Sequence, residues 1–260
     1  MIIFYAGAEA NVYNDILLKN GRKNRLISYY AVKGKGNQEL LNIFKNFDRI
    51  FLDSGGFSAR VKGVEINVSE YGDFINRYKK NLFCYANLDQ RHTEDTLNNQ
   101  KVLEELGLNP IPVFHRDEWE DGKLSLLDDY LRNYDYVALG GVAGSNKGES
   151  YIRAYLDSCF SVIKNYFPKK IHGFGMTATW ILKRYPFYSV DSTDWLSSAR
   201  WGAVARFESG KMRSNNTEYN RIYSKVVDYK DRTNNMVIEY AKLESYINGL
   251  WKSRGITWKD

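Results

Sequence analysis

The stretch RIFLDSGGF (49–57) is an apolar run that stops abruptly at an acid, a hydroxyl and two adjacent glycines. The run reads as a strand and the Gly-Gly pair as the tight turn that ends it, because glycine reaches backbone angles closed to other residues. Two readings follow. Either the segment is an ordinary strand and turn, or the strand exists to lift Asp53 toward a substrate. The segments on either side decide which fold could make the second reading matter.

Working outward, short β-rich runs recur: IIFYAG (2–7), FCYANLD (83–89), PIPVFH (110–115), YVALGG (136–141), KIHGFG (170–175), FYSVDS (187–192) and AVARFES (203–209). With RIFLDSGG they make eight, and RLISYYAV (25–32) is a further strand that interrupts the first crossover. Segments with helical spacing lie between most of them, at 68–81, 93–107, 150–167 and 178–185. Ser69 and Thr93 are expected N-caps, and Gly107 an expected helix stop. Strand–helix alternation predicts a mostly parallel sheet. Eight strands within 210 residues suit a single α/β (β/α)8 TIM-type barrel over 1–210, with a doubly wound open sheet as the alternative. Beyond it, 211–260 is a polar, basic segment followed by a helix (236–254) expected to pack on the barrel.

Bulk composition agrees with one globular unit. The chain has 260 residues, 43% hydrophobic and 26% charged, enough apolar material for a large core. Aromatic residues reach 15%, and such rings both fill cores and stack on planar ligands. A net charge of +6 mildly favours a polyanionic partner. Two cysteines, Cys84 and Cys159, are expected as buried free thiols, which suits a reducing cytoplasm. The N-terminus lacks a basic leader, and no apolar run approaches the ~20 residues of a membrane span. A soluble cytoplasmic protein is expected.

In a barrel, the C-terminal ends of the strands form the active face. Those ends carry Asp53 and Ser54; Asn87, Asp89 and Gln90; His115; Gly140 and Gly141; His172; and Asp191 and Asp194. Three strands each deliver a carboxylate to one rim. Clustered carboxylates suit a hard cation, yet no DxD spacing or calcium-type loop is present. They also suit glycosyl chemistry, where one carboxylate attacks or shields an oxocarbenium-like carbon and another group moves a proton. An apolar rim raises a carboxyl pKa enough for acid catalysis. The glycines of LGG (139–141) either expose backbone to a planar ligand's edge or simply make a turn.

FLDSGGF (51–57), NLD (87–89), ALGGVAG (138–144), HGFGM (172–176) and SVDSTDWLSSAR (189–200) resemble, in order and spacing, the guanine transglycosylase superfamily, barrel enzymes that exchange guanine for a 7-deazaguanine in nucleic acid. The resemblance covers about residues 49–200. It implies that Asp191 is the nucleophile, forming a covalent glycosyl–aspartate, and that Asp53 is the general acid/base. It further implies that Asp89, Gly140 and Gly141 bind the base beside Ser54, and that Phe57 stacks on it. Asp194 is instead expected as a helix cap.

The chain departs from the tRNA-modifying members in three ways. It has no Cys3His zinc cluster, so no metal or zinc subdomain is expected. His115 replaces a glutamine, and His172 replaces the methionine set against the base. Each histidine either contacts the base or is a hydrogen-bonded rim residue. These departures resemble the compact DNA-directed branch, typical of phages and DNA-modification clusters, which inserts bases such as preQ0. That branch implies DNA as partner, a free 7-deazaguanine as second substrate, no cofactor, and a bacterial cytoplasm, with the protein phage-encoded. A homodimer is also in keeping with the family. Basic stretches at 21–25, 167–170 and 211–216 would follow the phosphates. The alternatives are the same exchange on tRNA, as in queuosine and archaeosine synthesis, a non-catalytic nucleic-acid-binding paralogue, and an unrelated glycosidic barrel.

Overall fold

The computed structural model of the protein describes all residues except 8–10, 91, 143–146, 197–201, 203, 215–221, 223–224 and 259–260. Eight parallel strands run in sequence order around a barrel: β1 (Ile2–Tyr5), β2 (Asn24–Ser28), β3 (Arg49–Asp53), β4 (Cys84–Tyr85), β5 (Val113–His115), β6 (Tyr136–Gly140), β7 (Lys170–Gly173) and β8 (Ser189–Ser192). β1 pairs with β8, with Phe4 opposite Asp191. The remaining seam, between β4 and β5, is closed by the parallel bridge of Ala86 to Ile111. The open-sheet alternative is thereby excluded.

The strands split their side chains by period two. Ile2, Phe4, Leu26, Phe51, Val113 and Ala138 fill the barrel interior with Tyr188, which lies just ahead of β8, and His172 joins them with its ring 4.6 Å from that of Phe51. Ile3, Tyr5, Ile27, Ile50, Leu52, Phe114, Val137, Leu139 and Val190 face outward into a second apolar layer beneath the helices. The same alternation, carried to the strand ends, turns Ser28, Asp53, His115, Gly140 and Asp191 toward the mouth.

Eight strands are present as expected, with one exchange of membership. RLIS, read as an interruption of the first crossover, is β2 of the barrel. AVARFES is not a barrel strand: Ala205–Glu208 pairs antiparallel with Lys211–Ser214 in a separate ribbon. The turn between them needs positive φ at Ser209 (50°) and Gly210 (73°), and this reverses the chain. Helix starts also differ in detail. The helix Val68–Tyr78 is capped by Asn67, whose Oδ1 accepts from the amides of Ser69 and Glu70 at 2.9 and 3.1 Å, so Ser69 lies inside it. Thr93 is the first helical residue of Thr93–Glu105, and His92 precedes it as the N-cap. Gly107, at φ 72°, lies just past that helix as expected.

The C-terminal helix spans Tyr229–Ser253, seven residues earlier than expected at its start. Its Glu244 accepts a hydrogen bond from the Ile3 amide at 2.8 Å and pairs with Arg22 at 3.0 Å. Asn248 clasps both the amino group and the carbonyl of Met1. After the helix, Trp258 packs at the floor of the barrel, its ring 6.3 Å from that of Tyr188. Among the described residues, no helix is long and apolar enough to cross a membrane. Cys84 and Cys159 are free; Cys159 is fully buried and Cys84 only partly exposed.

Candidate active site

A cleft of about 1380 Å³ opens at the C-terminal ends of the strands, and Asp53, Asp89, His115, Gly140 and Asp191 all line it. Phe57, at the start of the short helix Gly56–Val61, stands at its edge with 61% of its surface exposed.

Asp53 ends β3 with its Oδ2 accepting from the Gly55 amide at 3.0 Å. Burial, then the charges of Asp89 and Asp191, push its carboxyl up to about 7, against the pull of the Gly55 and Ser54 amides. Asp89 goes the other way. Burial opposes its charge, but His115 and Arg60 overcome it and hold the carboxyl below its usual range. His115 Nε2 lies 3.2 Å and Arg60 Nη2 3.6 Å from Asp89 Oδ2. The imidazole holds Asp89 ionised first through this short polar contact and then through its charge. In return Asp89, together with Glu118, raises the His115 pKa against the effect of burial. One rim therefore holds a carboxyl poised between acid and base beside another kept ionised.

Asp191 sits at the end of β8 with Oδ1 accepting from the Gly175 amide at 2.9 Å. His172 lies directly behind it, Nε2 3.4 Å from Oδ1, while Nδ1 meets Ser189 Oγ at 2.6 Å. Burial lowers the His172 pKa, outweighing Asp191, so the ring is neutral at pH 7.

Local sequence explains these placements. Gly55 adopts φ 76°, and a Cβ there would lie 2.3 Å from Ser28 Oγ and 2.5 Å from Tyr30 Cβ. The first glycine of DSGG thus serves both the turn and the contact with the β2 end. A Cβ on Gly140 would meet the His115 ring at 2.9 Å, so glycine there lets the imidazole lie over the strand and reach Asp89. The Asp89 loop is fastened to the helix Thr93–Glu105: Asn87 Nδ2 donates to the Thr96 carbonyl and Asn99 Nδ2 to the Leu88 carbonyl, both at 2.9 Å.

Three expected base contacts, Ser54, His172 and Gly141, are placed otherwise. Ser54 is fully buried; its hydroxyl donates toward Asp89 Oδ1 at 3.4 Å and accepts from Gly56, so it orients the acid rather than facing the cleft. His172 is also fully buried, beneath Asp191. Gly141, at φ 82°, packs against Arg116 and lines a smaller neighbouring pocket beyond His115. Asp194 opens a single 3-10 turn, and it is Ser192 Oγ that accepts the Asp194 amide at 3.0 Å.

The basic stretches are also redistributed. Arg22 and Lys23 pair with Glu244 and Asp48, and Arg25 is buried against the carbonyl of Tyr5; Lys169 precedes β7 and Lys170 opens it. All of these but Arg25 lie toward the N-terminal ends of the strands, away from the cleft. Residues 143–144 of ALGGVAG, 197–200 of SVDSTDWLSSAR and 215–216 of the third basic stretch lie outside the described residues. Arg60 was not anticipated. Its signal is the spacing FSAR (57–60), which puts it one helical turn after Phe57 and over Asp89, donating to the Asp89 carbonyl at 2.9 Å.

The architecture and the rim of polar groups define the class: a TIM-type barrel with a carboxylate-lined cleft at its C-terminal face. No protein-family model matches the chain, and no curated protein matches it. Among solved structures, it is similar to a mutant tryptophan synthase alpha-subunit from Pyrococcus furiosus, with a TM-score of 0.52 at 14% identity, covering 93% of this chain and 97% of the other. A second mutant of that subunit gives 0.49 at 13% identity, over 86% and 96%. A protein from Aquifex aeolicus VF5 gives 0.49 at 10%, over 92% of each chain. At such identities the likeness concerns the barrel alone.

Proposed function

We propose that the protein is a nucleic-acid guanine transglycosylase acting on DNA, in which Asp191 is the nucleophile and Asp53 moves the proton. The observation that carries this reading is the separation of two neighbouring carboxyls at one rim, Asp53 titrating near 7 and Asp89 held ionised by His115 and Arg60.

In this mechanism the guanine of a displaced nucleotide enters the cleft with its amino and imino edge on the Asp89 carboxylate and its face against Phe57. Asp191 forms a bond to C1′ as the C1′–N9 bond breaks, and the proton on Asp53 passes to the departing guanine. The Gly175 amide and His172 keep Asp191 aligned for that attack. An incoming 7-deazaguanine gives its N9 proton to the now ionised Asp53 and takes C1′ from Asp191, which leaves as the free carboxylate. A group with a pKa near the working pH serves both halves of such an exchange.

The test is incorporation of labelled guanine into single-stranded DNA, duplex DNA and tRNA offered in parallel. Signal in DNA supports the proposal. Signal in tRNA alone reassigns the partner, and no signal in any of the three overturns the reaction.

A further inference from the structure

Past the acids, the cleft continues onto the end of β2, where the exchange chemistry assigns no role. Ser28 is the last residue of β2 and stands in register with Asp53 on β3. Ser28 lines the cleft, and its hydroxyl, tucked against Gly55, is buried with no hydrogen-bond partner among the described residues. Buried hydroxyls are ordinarily satisfied, so an orphan beside an acid at a cleft wall marks a place where a ligand oxygen belongs.

Tyr30, two residues on, also lines the cleft, and two ammonium groups from different elements approach its ring. Lys33 Nζ lies 5.8 Å from the ring centroid and Lys62 Nζ 5.5 Å. Both lysines line the cleft, and neither takes part in an ion pair among the described residues. The cleft is therefore polarised, with carboxyls along the barrel mouth and uncompensated cations on the β2 side. Barrels of this architecture frequently hold phosphate at the ends of strands seven and eight. Here Asp191 and Asp194 occupy the end of β8, and their charge repels an anion there.

We propose that Ser28, Lys33 and Lys62 form a phosphate subsite, so that the substrate is taken as a nucleotide with its base toward Asp89 and its phosphate toward Tyr30. This rests on the cleft being a nucleobase site, and it deepens that reading by fixing the direction in which the nucleotide lies. The phosphate belongs either to a mononucleotide or to a nucleic-acid strand, since both present the same anion to paired ammonium groups and a hydroxyl.

The experiment is a set of calorimetric titrations at low salt with 2′-deoxyguanosine, its 5′-monophosphate, and a short single-stranded deoxyoligonucleotide containing one guanine. The titrations use the native protein, Ser28→Ala, and the double variant Lys33→Ala/Lys62→Ala. Both lysines are exposed, so the double variant is expected to keep the native Tm. For the native protein, a phosphate-bearing ligand binds about tenfold or more tighter than the nucleoside. That preference shrinks several-fold in Ser28→Ala and is nearly lost in the double variant. A mononucleotide preferred as strongly as the oligonucleotide identifies a small-molecule substrate; an oligonucleotide preferred over both identifies a strand. Equal affinity for nucleoside and phosphate esters, or a preference that survives the double variant, overturns the subsite. The two readings fail separately: a protein that exchanges no guanine yet shows the lysine-dependent preference keeps the subsite and loses the reaction.

Discussion

Asp53 holds a carboxyl whose folded pKa of about 7 lies far above its usual 3.8, so the folded protein binds its proton more tightly than the unfolded chain does. Stability therefore declines as pH rises from about 4 to about 7 and is flat above, the reverse of a salt-bridged acid. Asp53→Asn removes that burden. It is expected to raise the Tm at pH 8, by an amount equivalent to about 1–3 kcal/mol after allowing for water in the cleft, with the gain vanishing below pH 4. A Tm series across pH checks this, and a gain that persists at pH 3 would contradict it. The same variant should lose exchange activity by about 10²–10⁴-fold. Asp191→Asn is expected to abolish a denaturation-resistant protein–DNA adduct on gels while Asp194→Asn retains it. Of these residues, Asp53, Asp89 and Asp191 were legible because each ends an apolar run at a strand terminus. Ser54 and His172 were legible as rim residues but not as buried supports, since burial depends on which side of the pleat the neighbouring strands cover. Ser28 and Arg60 escaped notice because a serine or an arginine near a strand end is common, and only the fold puts them beside Asp53 and Asp89.

Among the elements, the β2 end and the turn after β3 act as one unit, because Gly55 has room for nothing larger than hydrogen against Ser28 and Tyr30. Gly55→Ala combines a left-handed backbone with that overlap. It is expected to destabilise the protein by about 2–4 kcal/mol and to displace both Asp53 and the Tyr30 ring, as read by denaturant unfolding and by loss of nucleotide binding. Gly140→Ala meets only the movable ring of His115. It should cost little stability while weakening the hold on Asp89, raising KM more than it lowers kcat. Strand–helix alternation made most of these elements legible. The exchange of RLIS for AVARFES in the strand count was not, because both runs are equally β-like and differ only in their partners: RLIS has apolar strands on both sides, whereas AVARFES meets a polar ribbon and the C-terminal helix. The start of that helix was missed for a related reason, since YKDRTNN (229–235) is polar, and Asp228 capping the Lys230 amide at 2.8 Å begins the helix before its apolar face appears.

Across the whole molecule, chemistry and support occupy opposite ends of the barrel. The acids, Phe57 and the two lysines gather at the C-terminal face, while Trp258, Asn248 and Glu244 secure the other. Trp258→Ala is expected to lower the Tm by several degrees and leave exchange kinetics unchanged at 25 °C, as thermal melts and initial rates together would show. The clasp between Met1, Ile3 and the C-terminal helix has a further consequence, for synthesis. The Ile3 amide is satisfied by a side chain 241 residues further on. At about 5–20 residues per second, roughly 12–48 s pass between making the first strand and making its partner. β8, the strand that completes the ring beside β1, likewise emerges late. β1 is thus made long before the elements that seal it, and through that interval its IIFY run must be sheltered by something other than its own fold.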